Sequence, residues 1–519
     1  MCMIAKEPFI ERRDVLRIAP NELSFATAQA YRDIYSNSTP GSKTRRRTAL
    51  LKSDTFYRNG DAPNVFFERD AAEHAKMRRL LLPGFRPAAL RAQEQNVVHR
   101  YVDLLVDRVG RLTAEEGAAD MAQAFPWLAF DIMGELTFGE SFNAVATGKT
   151  HFWIAVLQDG AAASSLPSLL KRTPFAYLIA PFMMPRGAVE NQRKHRAYSV
   201  DVVRRRLNRP SVPPTDQEKK NNSHQDEEKG HGHGHGADHD IFAGLLSDPT
   251  VPENVLVSQA YTLVIAGADT VSATMTAALH FLCTTSPTPS SSSSSSSCME
   301  ILQAEVRALP YSELTDAVLS HLPYLNAVIE ETLRLFPPVA FGLPRVVPPA
   351  APEDEDEDEG GGGANMTMMM IDGHAIPTGT EVSVAQWVMN RRADVWGSRS
   401  AEFVPERWLR GVGDDNDDDD DDGGGEKKGK EKPVTFPFST GPRACIGITQ
   451  AYLEMRVVLA KLVHVYDLEL EHEHEHEHEG THDSRSKHGG GDWLQRSRMH
   501  FMWKKAPLRV RFVPRKTTS

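Results

Sequence analysis

Apolar residues recur along this chain at two spacings, and the spacing sets the element each stretch predicts. Intervals of three and four predict helices over residues 26–35, 71–109, 121–137, 189–207, 255–282, 300–309, 322–335 and 448–462. The second is interrupted at Pro83-Gly84 and Pro87, where a missing N–H and a fixed φ break the ladder. Alternation at every second residue predicts short strands at Val15-Leu16-Arg17-Ile18, Arg345-Val346-Val347, 368–371 and 381–384. Residues 499–512 read as a short hairpin. Helix dominates and the small sheets gather late, so the expected class is mainly α with small β-sheets, an α+β fold. No repeat of solenoid period is present.

Between these stretches lie five biased tracts, at 215–238, 284–297, 352–364, 413–432 and 471–491. They are rich in His-Gly, Ser, Glu-Asp, Asp-Gly-Lys and Glu-His. Such runs cannot bury enough apolar surface to offset their ordering entropy, so they are expected as disordered surface loops. Removing them leaves 427 of 519 residues, which suits one large domain over 14–514. The same subtraction reverses the charge. The tracts hold 29 of the 70 acidic but only 9 of the 59 basic residues, so a formal −11 becomes +9 over the rest. A basic body suits an anionic ligand or an acidic protein partner. Nucleic acid is disfavoured, because the cations are spread among apolar helices rather than gathered with exposed aromatics.

Four irregularly spaced cysteines, Cys2, Cys283, Cys298 and Cys445, make no disulfide framework for this length and point to a reducing compartment. Residues 1–8 contain no apolar run of signal or anchor length. The run 175–184 is too short to span a bilayer and contains Pro181, so it is expected as core. Sequons at Asn37, Asn221 and Asn365 matter only in a lumenal chain. The alternating histidines (His231, His233, His235; His472, His474, His476, His478) lack the fixed geometry that metal selectivity needs and read as solvated spacers.

Three stretches carry chemistry. Within 255–282, Ile265-Ala266-Gly267-Ala268-Asp269-Thr270-Val271 sets a glycine and an acid in an apolar helix. Glycine costs about 1 kcal/mol relative to alanine there, and an unpaired buried carboxylate costs more. Small residues would let a ligand approach the backbone while Asp269 and Thr270 handle protons. The alternative is a helix–helix contact with a satisfied acid. In 322–335, Glu331-Thr332-Leu333-Arg334 puts opposite charges on one helix face, commonly a solvated pair. The last is Phe438-Ser439-Thr440-Gly441-Pro442-Arg443-Ala444-Cys445-Ile446-Gly447, a glycine-flanked turn just before the 448–462 helix. A thiolate at a helix N-terminus near an arginine is stabilised as an anion, the state in which sulfur ligates haem iron. The alternative is a buried structural cysteine.

Together these segments resemble the cytochromes P450. F-x-x-G-x-R-x-C-x-G matches the family's haem-binding loop and A-G-x-D-T its oxygen-binding helix. Residues 324–338, with E-x-x-R followed by Pro337-Pro338, match a third family segment. Arg407, in Phe403-Val404-Pro405-Glu406-Arg407-Trp408, matches the last member of the family's buried triad, with Trp408 where the family usually has phenylalanine. The resemblance runs from Arg17-Ile18-Ala19-Pro20-Asn21-Glu22-Leu23-Ser24-Phe25 to the C-terminal hairpin, and no biased tract interrupts a motif. Residues 73–81 are similar in style to fungal enzymes of secondary metabolism, including those that hydroxylate mycotoxins of the trichothecene type.

The resemblance implies haem b, with Cys445 as iron ligand and Phe438 in the same loop. It implies Glu331, Arg334 and Arg407 as a structural brace for that loop. His74, Arg78, Arg345 and Arg443 would contact the haem propionates. Gly267 would leave room for dioxygen, and Asp269 and Thr270 would deliver protons. Ile265, Val339, Ala340 and Phe341 are candidate substrate contacts. The implied activity is a monomeric haem-thiolate monooxygenase acting on an apolar small molecule. Electrons would come from NADPH through a separate cytochrome P450 reductase, with cytochrome b5 as a further candidate donor, because the chain has no flavin or nicotinamide motif. The family's usual place is the cytosolic face of the endoplasmic reticulum, held by an anchor before R-I-A-P-N-E-L. This chain begins almost at that point, so cytosolic and peripherally membrane-associated states stay open. A reductase-independent isomerase, dehydratase or peroxygenase is a second reading, opposed by the Asp269-Thr270 pair. A non-catalytic haem binder is a third, opposed by the intact ligand, proton pair and triad.

Overall fold

Side-chain caps at Thr27, Asp70, Asp120 and Ser297 start helices close to where apolar periodicity places them. The computed structural model describes residues 14–36, 49–58, 62–156, 188–208, 241–285, 296–349, 368–409, 434–471 and 493–515. The 175–184 run, the sequons, the alternating histidines and most of each biased tract lie outside them. The chain divides into two compact units, one comprising Met1–Phe56, Ala277–Leu309 and Ser320–Cys445, the other Tyr57–Thr276, Pro310–Leu319 and Ile446–Ser519.

The first unit contains β1 (Val15–Ala19), β2 (Glu22–Phe25), β3 (Leu51–Lys52), β5 (Arg345–Val346) and β8 (Glu381–Val384), in the order β1-β2-β8-β5-β3. β2 and β8 run parallel, with Leu23 opposite Val382 and Phe25 opposite Val384. After β2 comes α1 (Ala28–Tyr35), capped by the Thr27 side chain, which accepts from the Ala30 N–H. Its Ala30, Tyr31, Ile34 and Tyr35 pack into one core with Phe25, Val382, Val384, Ile371 and Ile376. Ile371 and Ile376 belong to the hairpin β6 (Met368–Ile371) and β7 (His374–Pro377). The sequence reading missed β7, although Asp372-Gly373, both at positive φ, is a strong hairpin turn. The longer helices that lie wholly in this unit are α7 (Cys298–Arg307) and α8 (Pro323–Leu335). The serine tract was expected to be loop throughout, but its last residue, Ser297, forms a capping box with Glu300 and starts α7.

The second unit is mainly helical: α2 (Ala71–Leu81), α3 (His99–Glu116), α4 (Met121–Phe138), α5 (Ala188–Leu207), α6 (Glu253–Thr284) up to Thr276, and α9 (Ile448–Val465). α4 is apolar and buried on nearly every side, the pattern of a helix enclosed by others. A small sheet has the order β4-β12-β9, from β4 (Ala119–Asp120), β9 (Tyr466–Leu470) and β12 (Arg509–Pro514). β10 (Arg498–Met499) pairs with β11 (Trp503–Lys504). The single hairpin expected over 499–512 is therefore two pieces, because β12 pairs with β9 and β4 instead. Pro507, which has no N–H for a ladder, separates them. Among the described residues one helix, α6, is long and apolar enough to cross a membrane, and 78% of its most apolar window is buried within the protein.

Candidate functional site

In the first unit the cysteine loop closes on itself. Ser439 N–H donates to Phe436 O (3.0 Å), Ala444 N–H to Gly441 O (3.0 Å) and Cys445 N–H to Phe438 O (2.8 Å). Gly441 has φ 74°, and a Cβ there would lie 2.4 Å from Tyr35 O. Only glycine meets both demands. α1 seats the loop a second time through Tyr31, whose ring stacks on Phe436 at 4.4 Å. The Tyr31 hydroxyl donates to Phe436 O (3.4 Å).

Cys445 is in no disulfide and is exposed, whereas free cysteine is among the most buried residue types. Half-buried Phe438 and Arg443 share its loop, and α9 begins three residues on, at Ile448. The alternative of a buried structural cysteine does not hold. A soft sulfur ligand with an aromatic and a guanidinium in one short loop is a donor set that fits haem: sulfur for the iron, an apolar face for the macrocycle, a cation for a propionate.

The Glu331–Arg334 pair is no solvated surface pair, since both side chains are fully buried. Arg334 Nε donates to Glu331 Oε2 and Nη2 to Oε1, each at 2.8 Å. Arg407 Nε (2.9 Å), Val404 N–H (2.8 Å) and Trp408 Nε1 (2.9 Å) complete five donors to one carboxylate. Burial alone would raise the Glu331 pKa, but the Arg334 hydrogen bonds and charge, with Arg407 and the Val404 N–H, outweigh it and hold the carboxyl below its ordinary value. Arg334 also donates to Asn390 O (2.7 Å), Ser400 O (2.5 Å) and Glu402 O (2.9 Å). Among the described residues, then, the triad ties α8 to the 390–408 segment, while contacts from α1 seat the cysteine loop. Trp408, noted in the sequence only as a departure, supplies one of the five donors.

Arg345 is buried, with its guanidinium 5.1 Å from the Tyr35 ring centroid and Nη1 3.1 Å from Pro344 O. Ala340 O accepts from Trp387 N–H (3.1 Å), and half-buried Phe341 packs against Phe56 at 5.9 Å. Val339 is half-buried beside them in sequence.

In the second unit, α2 starts at the cap Asp70, whose carboxylate accepts from the Ala72 and Glu73 N–H groups. His74 is buried, not an ordinary surface histidine, and Arg78 follows one turn later on the same face, half-buried. In α6, Ile265 is half-buried and Asp269 is buried. The Thr270 hydroxyl donates back to Ala266 O (2.6 Å). A Cβ on Gly267 would sit 2.6 Å from Met133 Sδ. The room that glycine leaves is therefore taken by a methionine of α4, which is the helix-contact alternative rather than the ligand-approach reading.

Two polar features here escaped the sequence reading. Lys505 Nζ lies 3.5 Å from Asp269 Oδ1 and 3.2 Å from Ser272 Oγ. In α9, Gln450 Nε2 donates to Glu454 Oε1 (2.9 Å) and approaches Met133 Sδ at 3.5 Å. Burial pushes the Glu454 carboxyl up to about 8, with the Gln450 hydrogen bond opposing it. Neither was legible, because a lone lysine and an acid in an apolar helix read as surface until the partner elements are placed.

A family model described as Cytochrome P450 matches residues 25–355 and 364–486. The chain is similar to the cytochrome P450 monooxygenase BOA3 of Botryotinia fuckeliana, 33% identical over 96% of this chain and 83% of the relative. It is 30% identical to the averantin hydroxylase of Dothistroma septosporum, over 96% of this chain and 79% of that one. Its fold is similar to the crystal structure of a cytochrome P450, CYP102L1, with a TM-score of 0.65 and 19% identity, covering 97% of this chain and 96% of the other.

Proposed function

This chain belongs to the cytochrome P450 family, is a monooxygenase that depends on haem, and from that premise we propose that it hydroxylates or otherwise oxidises an apolar small molecule in secondary-metabolite biosynthesis. Haem, when bound, supplies the activation of O2. The chain's own residues bind, orient and manage protons. Cys445 would hold the iron from the glycine-pinned loop, with Phe438 on the macrocycle and Arg443, His74, Arg78 and Arg345 toward the propionates. Asp269 and Thr270 would move protons from α6. Ile265, Val339, Ala340 and Phe341 would meet the substrate. A relative named averantin hydroxylase supports hydroxylation as the reaction. Electrons would come from NADPH through a separate flavoprotein reductase at the cytosolic face of the endoplasmic reticulum. Residues 14–514 would act as one catalytic domain, which the family match on both sides of the 352–364 tract supports.

The observation that carries this reading is the exposure of Cys445 in a loop whose closure requires Gly441. It is tested by a carbon monoxide difference spectrum of the reduced, freshly purified chain. The thiolate-type band is expected, and Cys445→Ala should abolish it. Survival of the band in that variant would sink the assignment. Turnover that requires both reductase and NADPH separates the monooxygenase from a reductase-independent relative.

A further inference from the structure

The C-terminal hairpin reaches the carboxylate assigned above to proton handling. Lys505 follows β11 directly, and its neighbours are fixed. Ala506 N–H donates to Ser497 Oγ (3.1 Å), and Trp493 Nε1 to Ala506 O (2.8 Å). From this frame the lysine side chain, 4% exposed, enters α6 and meets Asp269 and Ser272. At the hairpin's tip, Phe501 meets Phe66 edge-on at 6.1 Å. The loop carrying Phe66 is itself stitched to α6. Val65 N–H donates to Gln259 Oε1 (2.9 Å), and Asn64 Nδ2 to Ser258 Oγ (3.0 Å). One hairpin therefore touches both an aromatic wall and the acid of α6.

Stability gives little reason for a lysine here. Removing an ammonium from water is costly, and an apolar side chain of similar volume generally serves packing as well or better. The contact is also long, at 3.5 Å, so it orients the carboxylate without locking it. We propose that Lys505 is the positioning residue for Asp269, so that the hairpin's place against α6 sets the direction of the carboxylate relative to Thr270. The inference rests on the reading of Asp269 as a proton-handling group. No proton need leave Lys505 for it to act.

The test compares the full chain with Lys505→Met, Lys505→Arg and Asp269→Asn. The infrared carboxylate band of Asp269, located by its loss in Asp269→Asn, is read without any turnover. It should move in Lys505→Met and return in Lys505→Arg. In reductase-supported assays with ethoxycoumarin as the apolar probe, product formed per NADPH consumed should fall by about fivefold or more in Lys505→Met. KM should stay within about twofold, and Lys505→Arg should restore the yield. An unmoved band, or loss of thermal stability with unchanged yield per NADPH, overturns the proposal and leaves Lys505 a structural ion pair. Unchanged yield in Asp269→Asn would instead remove the proton reading of Asp269 and this inference with it. If Lys505→Met does not fold, Lys505→Gln, which keeps a donor without charge, takes its place.

Discussion

Glu331 in the first unit and Glu454 in the second are equally removed from water, at 0% and 2% exposure, yet burial leaves them in opposite states. Glu331 accepts five N–H donors, three of them from the guanidinium groups of Arg334 and Arg407, and its carboxyl stays ionised. Glu454 has the Gln450 amide as its hydrogen-bond partner among the described residues, and its carboxyl is held neutral near physiological pH. Desolvation acts alike on both, so the number and charge of the donors decide. The first region is an over-determined strut. The second keeps in Glu454 a buried carboxyl whose state can change.

Breaking the strut should have the largest effect. Glu331→Ala leaves a fully buried Arg334 without its counter-charge, which costs roughly 3–5 kcal/mol. A lowered urea midpoint or loss of soluble protein is expected. A wild-type midpoint would erase the distinction between the two regions.

Glu454→Gln should act in the opposite sense and with pH. The folded pKa, about 8, lies above the ordinary carboxyl value of 4.5. The native state therefore holds a proton that the unfolded chain has lost between those values, and wild-type stability falls as pH rises through that window. The glutamine variant removes this slope. Measured by urea unfolding, it should gain on wild type by roughly 3–4 kcal/mol between about pH 5 and about pH 8. Parallel curves would mean that Glu454 is already ionised at neutral pH.

The smallest effect refines the strut itself. Trp408→Phe removes one donor of five and keeps an aromatic ring beside Trp396, now 5.9 Å from the indole. A loss of about 1 kcal/mol is expected by thermal unfolding, since four donors remain on Glu331. No loss would assign the strut's strength to the arginines alone.

Much of this was legible in the sequence, unevenly. Most helices fall within a few residues of their periodic stretches, although α3 runs on to Glu116 past the expected 109, because a 3.6-residue apolar stripe is a property of neighbours along the chain. The cysteine loop was legible for a related reason: Gly441 has a positive φ that few residues tolerate. The partner of Gly267 was not. Its neighbour, Met133, comes from a different helix and carries no local mark. The 499–512 hairpin failed similarly, since which strand β12 joins depends on β9 and β4, far away in the chain.

The amino-acid order by itself determined the helices, the turn that presents Cys445 and the spacing that lets Glu331 face Arg334, because each depends on backbone geometry over a few residues. The tertiary structure alone decided that Glu331 is ionised, that Glu454 is not, and that Lys505 reaches Asp269 across 236 positions of chain. Charge state is set by the surrounding dielectric and by the donors within hydrogen-bond reach, and neither exists until distant segments have packed.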